Sequence, residues 1–190
     1  SLTTNAGGTV TLQNVNTSGN QSYGDATATL NGTTYSTTGA NGSITVSGNT
    51  SLTNNVTVST AGTGNVTFTG AVNGAQDLTV NSSGATVFSA AVGATTALTS
   101  LTTDVGGNLT LSGVSTTGNQ TYGENTTVTL SGNFSTNNNA FTINAATTLL
   151  SGGTNVSAGT GLMPFALLSA MNWKSASGFC TPPGAGTLCL

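Results

Sequence analysis

The side chains that most often do chemistry are few in this sequence. They are Asp25, Asp77, Asp104, Glu124, Lys174, Cys180 and Cys189, and there is no histidine. Asp25 and Glu124 stand in equivalent places, after Tyr23-Gly24 and Tyr122-Gly123. A pair of carboxylates is the machinery of glycoside hydrolysis. These two lie 99 residues apart, which puts them several coils apart in a repetitive chain, so each reads as a turn residue. Asp77 and Asp104 read as isolated. Without histidine there is no Ser-His-Asp arrangement. The expectation is a protein that is not an enzyme, with no catalytic residue, metal site or cofactor.

The two cysteines flank a Thr-Pro-Pro-Gly turn near the end of the sequence and read as a small disulfide loop, Cys180–Cys189. A metal site would need further His or Cys ligands. A redox centre would favour a tighter C-x-x-C spacing. A disulfide implies an oxidising compartment. The loop reads either as a plain terminal staple or as a knot too bulky for a narrow export pore.

The composition says what must hold these residues. Only 3% of the chain is charged, with one Lys or Arg against four acids. One cation cannot neutralise a run of phosphates, which excludes nucleic acid as a partner. It cannot build a polybasic membrane patch either. Polarity comes instead from Thr, about a fifth of the residues, together with Ser, Asn and Gly. Thr is β-branched and favours strands, while Gly and Asn favour turns. Disorder would need low hydrophobicity and high net charge. Here 35% of residues are hydrophobic, and they alternate with polar ones.

The alternation is regular. Val10–Leu12, Ala28–Leu30, Ile44–Val46, Val56–Val58, Val66–Phe68, Leu78–Val80, Leu109–Leu111, Val128–Leu130 and Phe141–Ile143 each place Thr between two apolar residues. A period of two gives one apolar face and one Thr face. A longer repeat overlies this pattern. Residues 1–24 (SLTTNAGGTVTLQNVNTSGNQSYG) match 100–123 (SLTTDVGGNLTLSGVSTTGNQTYG), and 44–55 match 128–139. The first copy, 1–99, carries an extra stretch at 31–42, expected to protrude from one turn; the second copy runs over 100–160. Short strands, small apolar residues and repetition favour an all-β solenoid over a sandwich.

Thr-x-Thr units at Thr9–Thr11, Thr27–Thr29, Thr67–Thr69 and Thr127–Thr129 resemble the flat arrays of ice-binding solenoids. Their spacing looks too irregular for one flat face.

Residues 161–190 differ in character. Gly161–Trp173 is the most apolar stretch, too short to span a bilayer and broken by Pro164. Met163, Phe165, Leu167, Leu168, Met171 and Trp173 are expected to cap or anchor the end of the solenoid core. No signal peptide is visible, and the chain begins inside a repeat unit, as a piece of a longer secreted protein would.

The run 64–104, with GNQSYGD and GNQTYGE, resembles the repeats of filamentous-haemagglutinin-like bacterial exoproteins. The resemblance covers about residues 1–160. It implies a right-handed parallel β-helix exported by two-partner secretion through an outer-membrane transporter. Some adhesins of that type end in a Cys pair whose loop holds the fibre in its transporter, and Cys180 and Cys189 resemble such a hook. The family's amino-terminal secretion domain has no counterpart in this sequence. The resulting expectation is a structural or adhesive segment of a secreted or cell-surface fibre, near its cell-proximal end, with host or matrix glycans or proteins as partners, and a role in biofilm. A self-assembling filament subunit is the alternative, and a carbohydrate- or ice-binding solenoid a further one.

Overall fold

A computed structural model describes residues 1–162 except Ala6, together with the backbone of Thr187–Cys189. The described residues form an all-β solenoid of about seven turns, with no helix. Each turn lays down three short parallel strands, one on each of three sides.

The first side stacks Leu2–Thr4, Gln21–Tyr23, Ile44–Val46, Val66–Phe68 and Thr86–Phe88. It continues through the first halves of Leu109–Ser115 and Thr127–Ser135 to Thr147–Leu150. The second side stacks Thr9–Leu12, Thr27–Leu30, Asn49–Leu52 and Val72–Asn73, and single bridges at Val92 extend it. The second halves of the two long strands follow, then Asn155–Ser157, against which Thr187–Cys189 pairs antiparallel. The third side stacks Val15–Thr17, Thr34–Thr37, Val56–Ser59, Asp77–Asn81, Ser100–Thr103, Gln120–Tyr122 and Phe141–Ile143. Pairs such as Leu2 with Gln21, Thr9 with Thr27 and Gln21 with Ile44 set the turn length at 18 to 23 residues.

Alternation explains the inside. On every strand the inward residues stack on their counterparts one turn away. On the second side Ala28, Thr50, Val72, Val92, Val114, Phe134 and Val156 form one buried file. Phe68 and Phe88 stack with ring centroids 5.1 Å apart. A fully buried Leu, Val or Phe contributes about 1.5–3 kcal/mol relative to exposure, so these files carry the stability of a chain nearly without ion pairs. Leu109–Ser115 and Thr127–Ser135 bend round a corner as continuous strands. The bend falls at Gly113 and Gly132, with φ of 86° and 82°, where the register shifts. Only glycine takes that left-handed conformation without cost.

All nine alternating segments read from the sequence lie in strands with their apolar residues inward. The stretch 31–42 does not protrude. Its Thr34–Thr37 is a full strand of the third side, and Tyr35 is buried. The Tyr35 hydroxyl donates to the Leu12 carbonyl at 2.8 Å and accepts the Gly32 N–H at 2.9 Å. An aromatic ring able to satisfy its own hydroxyl is what lets this polar-looking stretch form a rung.

The long repeat does not count whole turns. Leu2, Gln21 and Tyr23 lie on the first side, yet Leu101, Gln120 and Tyr122, 99 residues on, lie on the third. Val10 and Leu12 of the second side correspond to Leu109 and Leu111 of the first. Beyond the extra stretch the sides coincide again: Ile44–Val46 and its counterpart Val128–Leu130 share the first side, four turns apart. Each side needs the same thing of a strand, namely two inward residues on a thin core, so one sequence serves on more than one side.

Candidate functional site

The motif that repeats most closely, V-x-T-x-G-N-Q-x-Y, builds a corner. In the first copy Gln21 points into the core and its Nε2 donates to the Ser36 carbonyl at 2.7 Å. Its Oε1 accepts the Tyr23 hydroxyl at 2.7 Å. In the second copy Gln120 donates to the Ser135 carbonyl at 2.8 Å and accepts from Tyr122 at 3.0 Å. Thr17 and Thr116 each receive a further bond from the Gln amide, at 3.3 and 3.2 Å. Burying Gln is costly unless its amide is satisfied, and here both ends are. Burial pushes the Tyr23 and Tyr122 phenols up, well above their ordinary range.

The Asn of the motif ties turns together from outside. Asn20 Oδ1 accepts the Ser43 N–H at 3.0 Å, and Asn119 Oδ1 accepts the Ala140 N–H at 3.0 Å. Asn49, Asn65 and Asn73 do the same for Ala71, Ala85 and Thr95. Corner Asn thus satisfies main-chain donors that the strand ladders leave unpaired.

The acidic residues follow from these corners. Thr4 pairs with Tyr23, and Thr103 with Tyr122, so the residues just past each pair meet across successive turns. Glu124 sits beside Thr103 and Asp104, and Asp25 holds the equivalent position two residues past Tyr23. Glu124 is wholly buried, and neither of its carboxylate oxygens has a hydrogen bond of good geometry. Its carboxyl is pushed up to about 7, chiefly by burial; the nearby Thr103 hydroxyl lowers it and the Asp104 charge raises it. Asp104 Oδ1 accepts the Ser82 N–H at 3.0 Å. Asp77 accepts the Ser100 hydroxyl at 2.6 Å.

The structure keeps Asp25 and Glu124 far apart along the axis, but Asp104 is not isolated: it stands one turn from Glu124. The sequence signal was the 20-residue gap between them, one turn of this solenoid. No group of three His, Cys, Asp or Glu comes together among the described residues. The second side has a cleft of about 330 Å³ beside Val92, Ala94, Gly113 and Asn133, and no ionisable side chain lines it.

Outward residues form rows. Thr34, Thr57, Thr79, Thr102, Thr121 and Thr142 stack in register on the third side. A second row on the first side, Thr45, Thr67, Val87, Thr110 and Thr129, is interrupted by Val87. The four Thr-x-Thr units do not share a side: Thr9–Thr11 and Thr27–Thr29 stack on the second, while Thr67 and Thr127–Thr129 belong to the first. The regularity lies in single Thr residues, one per turn.

The expected cap residues Met163, Phe165, Leu167, Leu168, Met171 and Trp173 lie outside the described residues, as do Cys180 and the side chain of Cys189. No family model matches the chain, and no curated protein or solved structure shows significant similarity to it.

Proposed function

We propose that this chain is a structural and adhesive segment of a surface fibre, a stiff rod whose third side offers its Thr row to uncharged glycans of a host or matrix. The observation that carries the reading is the row itself: six Thr in register on successive turns, one every strand spacing of about 4.8 Å. Each hydroxyl is both donor and acceptor. No single contact would be strong, and affinity would come from their number along a polymer. The near absence of charge fits a neutral, hydroxyl-rich partner better than a charged one. A secreted or cell-surface location, export through an outer-membrane transporter and a terminal disulfide hook belong to the same reading. Its support there is the resemblance of the repeats.

The test is a glycan array and a polysaccharide pull-down with the full chain. Replacing Thr57, Thr79, Thr102 and Thr121 together by Val keeps shape and strand preference while removing the hydroxyls. Binding should fall at least about tenfold with the β-type circular dichroism unchanged. Binding that survives the replacement puts the contact surface elsewhere. An array without signal removes adhesion to glycans and leaves a purely structural rod.

A further inference from the structure

The corner of Thr103, Asp104 and Glu124 holds buried oxygens that lack a hydrogen bond of good geometry. Glu124 is 0% exposed, and neither of its oxygens has a hydrogen bond of good geometry. Thr103 is 2% exposed, and its hydroxyl lies by the Glu124 carboxyl, likewise without a hydrogen bond of good geometry. Asp104 brings a second carboxylate from the turn below, with one oxygen taken by the Ser82 N–H. An ionised carboxylate in such a place is costly unless paired. The described residues include no Lys or Arg to pair with it, since the single basic residue of the chain is Lys174.

The same corner is built twice. In the first copy Thr4 Oγ1 and Asp25 Oδ2 are buried without partners in the corresponding places. Unpaired oxygens at a single place would mean little. Their recurrence at the same two positions of a repeat, on two different sides of the solenoid, points to a missing ligand. The donors are all oxygen: carboxylate and hydroxyl. That set suits a hard cation and not a thiophilic one. Two carboxylates balance a divalent charge. Calcium tolerates irregular shells of about six to eight oxygens, whereas magnesium demands a regular octahedron and sheds water reluctantly.

We propose that Thr103, Asp104 and Glu124 form a Ca²⁺ site that staples two successive turns of the solenoid. Glu124 supplies both carboxylate oxygens, Asp104 its second oxygen and Thr103 its hydroxyl, and water completes the shell. The first corner is a weaker version, because Asn5 stands where the second copy has Asp104, so it carries one charge fewer.

The experiment uses the full chain, stripped with chelator and held at pH 8. Thermal unfolding is followed against added Ca²⁺ or Mg²⁺, and Tb³⁺ luminescence is read in parallel. Ca²⁺ should raise Tm by several degrees and Mg²⁺ should not. Glu124→Gln should abolish the rise while keeping the β-type circular dichroism. Asp104→Asn should weaken Tb³⁺ binding at least about tenfold, and Asp25→Asn should leave the strong site intact. The proposal is overturned if millimolar Ca²⁺ leaves Tm unchanged, which would make Glu124 a carboxyl that simply holds its proton. It is overturned equally if Mg²⁺ acts as well as Ca²⁺, or if Asp25→Asn removes the response and Glu124→Gln does not.

Discussion

Residues 1–24 and 100–123 are nearly the same sequence in two different places. Among the described residues the first copy forms the first turn, and the second lies between turns. Leu12 remains 7% exposed, while its counterpart Leu111 is fully covered. Asn5 is exposed where Asp104 is half-buried. Glu124 is wholly buried where Asp25 is only partly so. The hydrogen-bonded corner of Gln and Tyr is nevertheless the same in both, though one copy lies on the first side and the other on the third. Two kinds of information are therefore separable. Local chemistry travels with the motif, whereas burial and charge coupling depend on which turns lie above and below.

The largest test of that separation is in the core. Leu111→Ala should cost about 2–5 kcal/mol, the range for cavities in a packed core, and Leu12→Ala distinctly less. Chemical denaturation of the two variants measures the difference, and equal losses would mean that the first turn of this chain is as well covered as the middle.

A smaller effect should come from pH. Glu124 folded titrates near 7, above its ordinary value of 4.5, so between those values the folded state holds a proton that the unfolded chain has released. In calcium-free solution, stability should fall as pH rises from about 4.5 to 7 and level off above. Glu124→Gln should flatten that slope. A wild-type chain that gains stability across the same window would contradict the burial of Glu124.

The third test should show no difference between the copies. Tyr23→Phe and Tyr122→Phe each strip the donor from a buried Gln oxygen and should each cost about 1–3 kcal/mol. A large inequality would mean that the corner is not self-contained.

The sequence revealed the strands whose inward residues are Val, Leu, Ile or Phe, because alternation of apolar residues with Thr is unambiguous. It hid Gln21–Tyr23, Thr34–Thr37, Ser100–Thr103 and Gln120–Tyr122, whose inward positions include Gln, Tyr or Thr. Gln21, Gln120 and Tyr35 enter the core because a neighbouring turn supplies hydrogen-bond partners, which no local pattern shows. The Asp104–Glu124 pair was missed for a related reason. The 99-residue match drew attention to equivalent residues, whereas contact is decided by the turn of 18 to 23 residues. The outward Thr were visible, but their row was not, because neighbours in the row come from strands of unequal spacing.

The register of the third side carries both the Thr row and the stacked corner, and spin labels measure it directly. With Cys180 and Cys189 replaced by Ser, labels at Thr57→Cys and Thr142→Cys lie four strand spacings apart on one line. Pulsed dipolar spectroscopy should give a single narrow distribution centred at about 20 Å. A broad distribution, or one centred well beyond that distance, would contradict the stacked register.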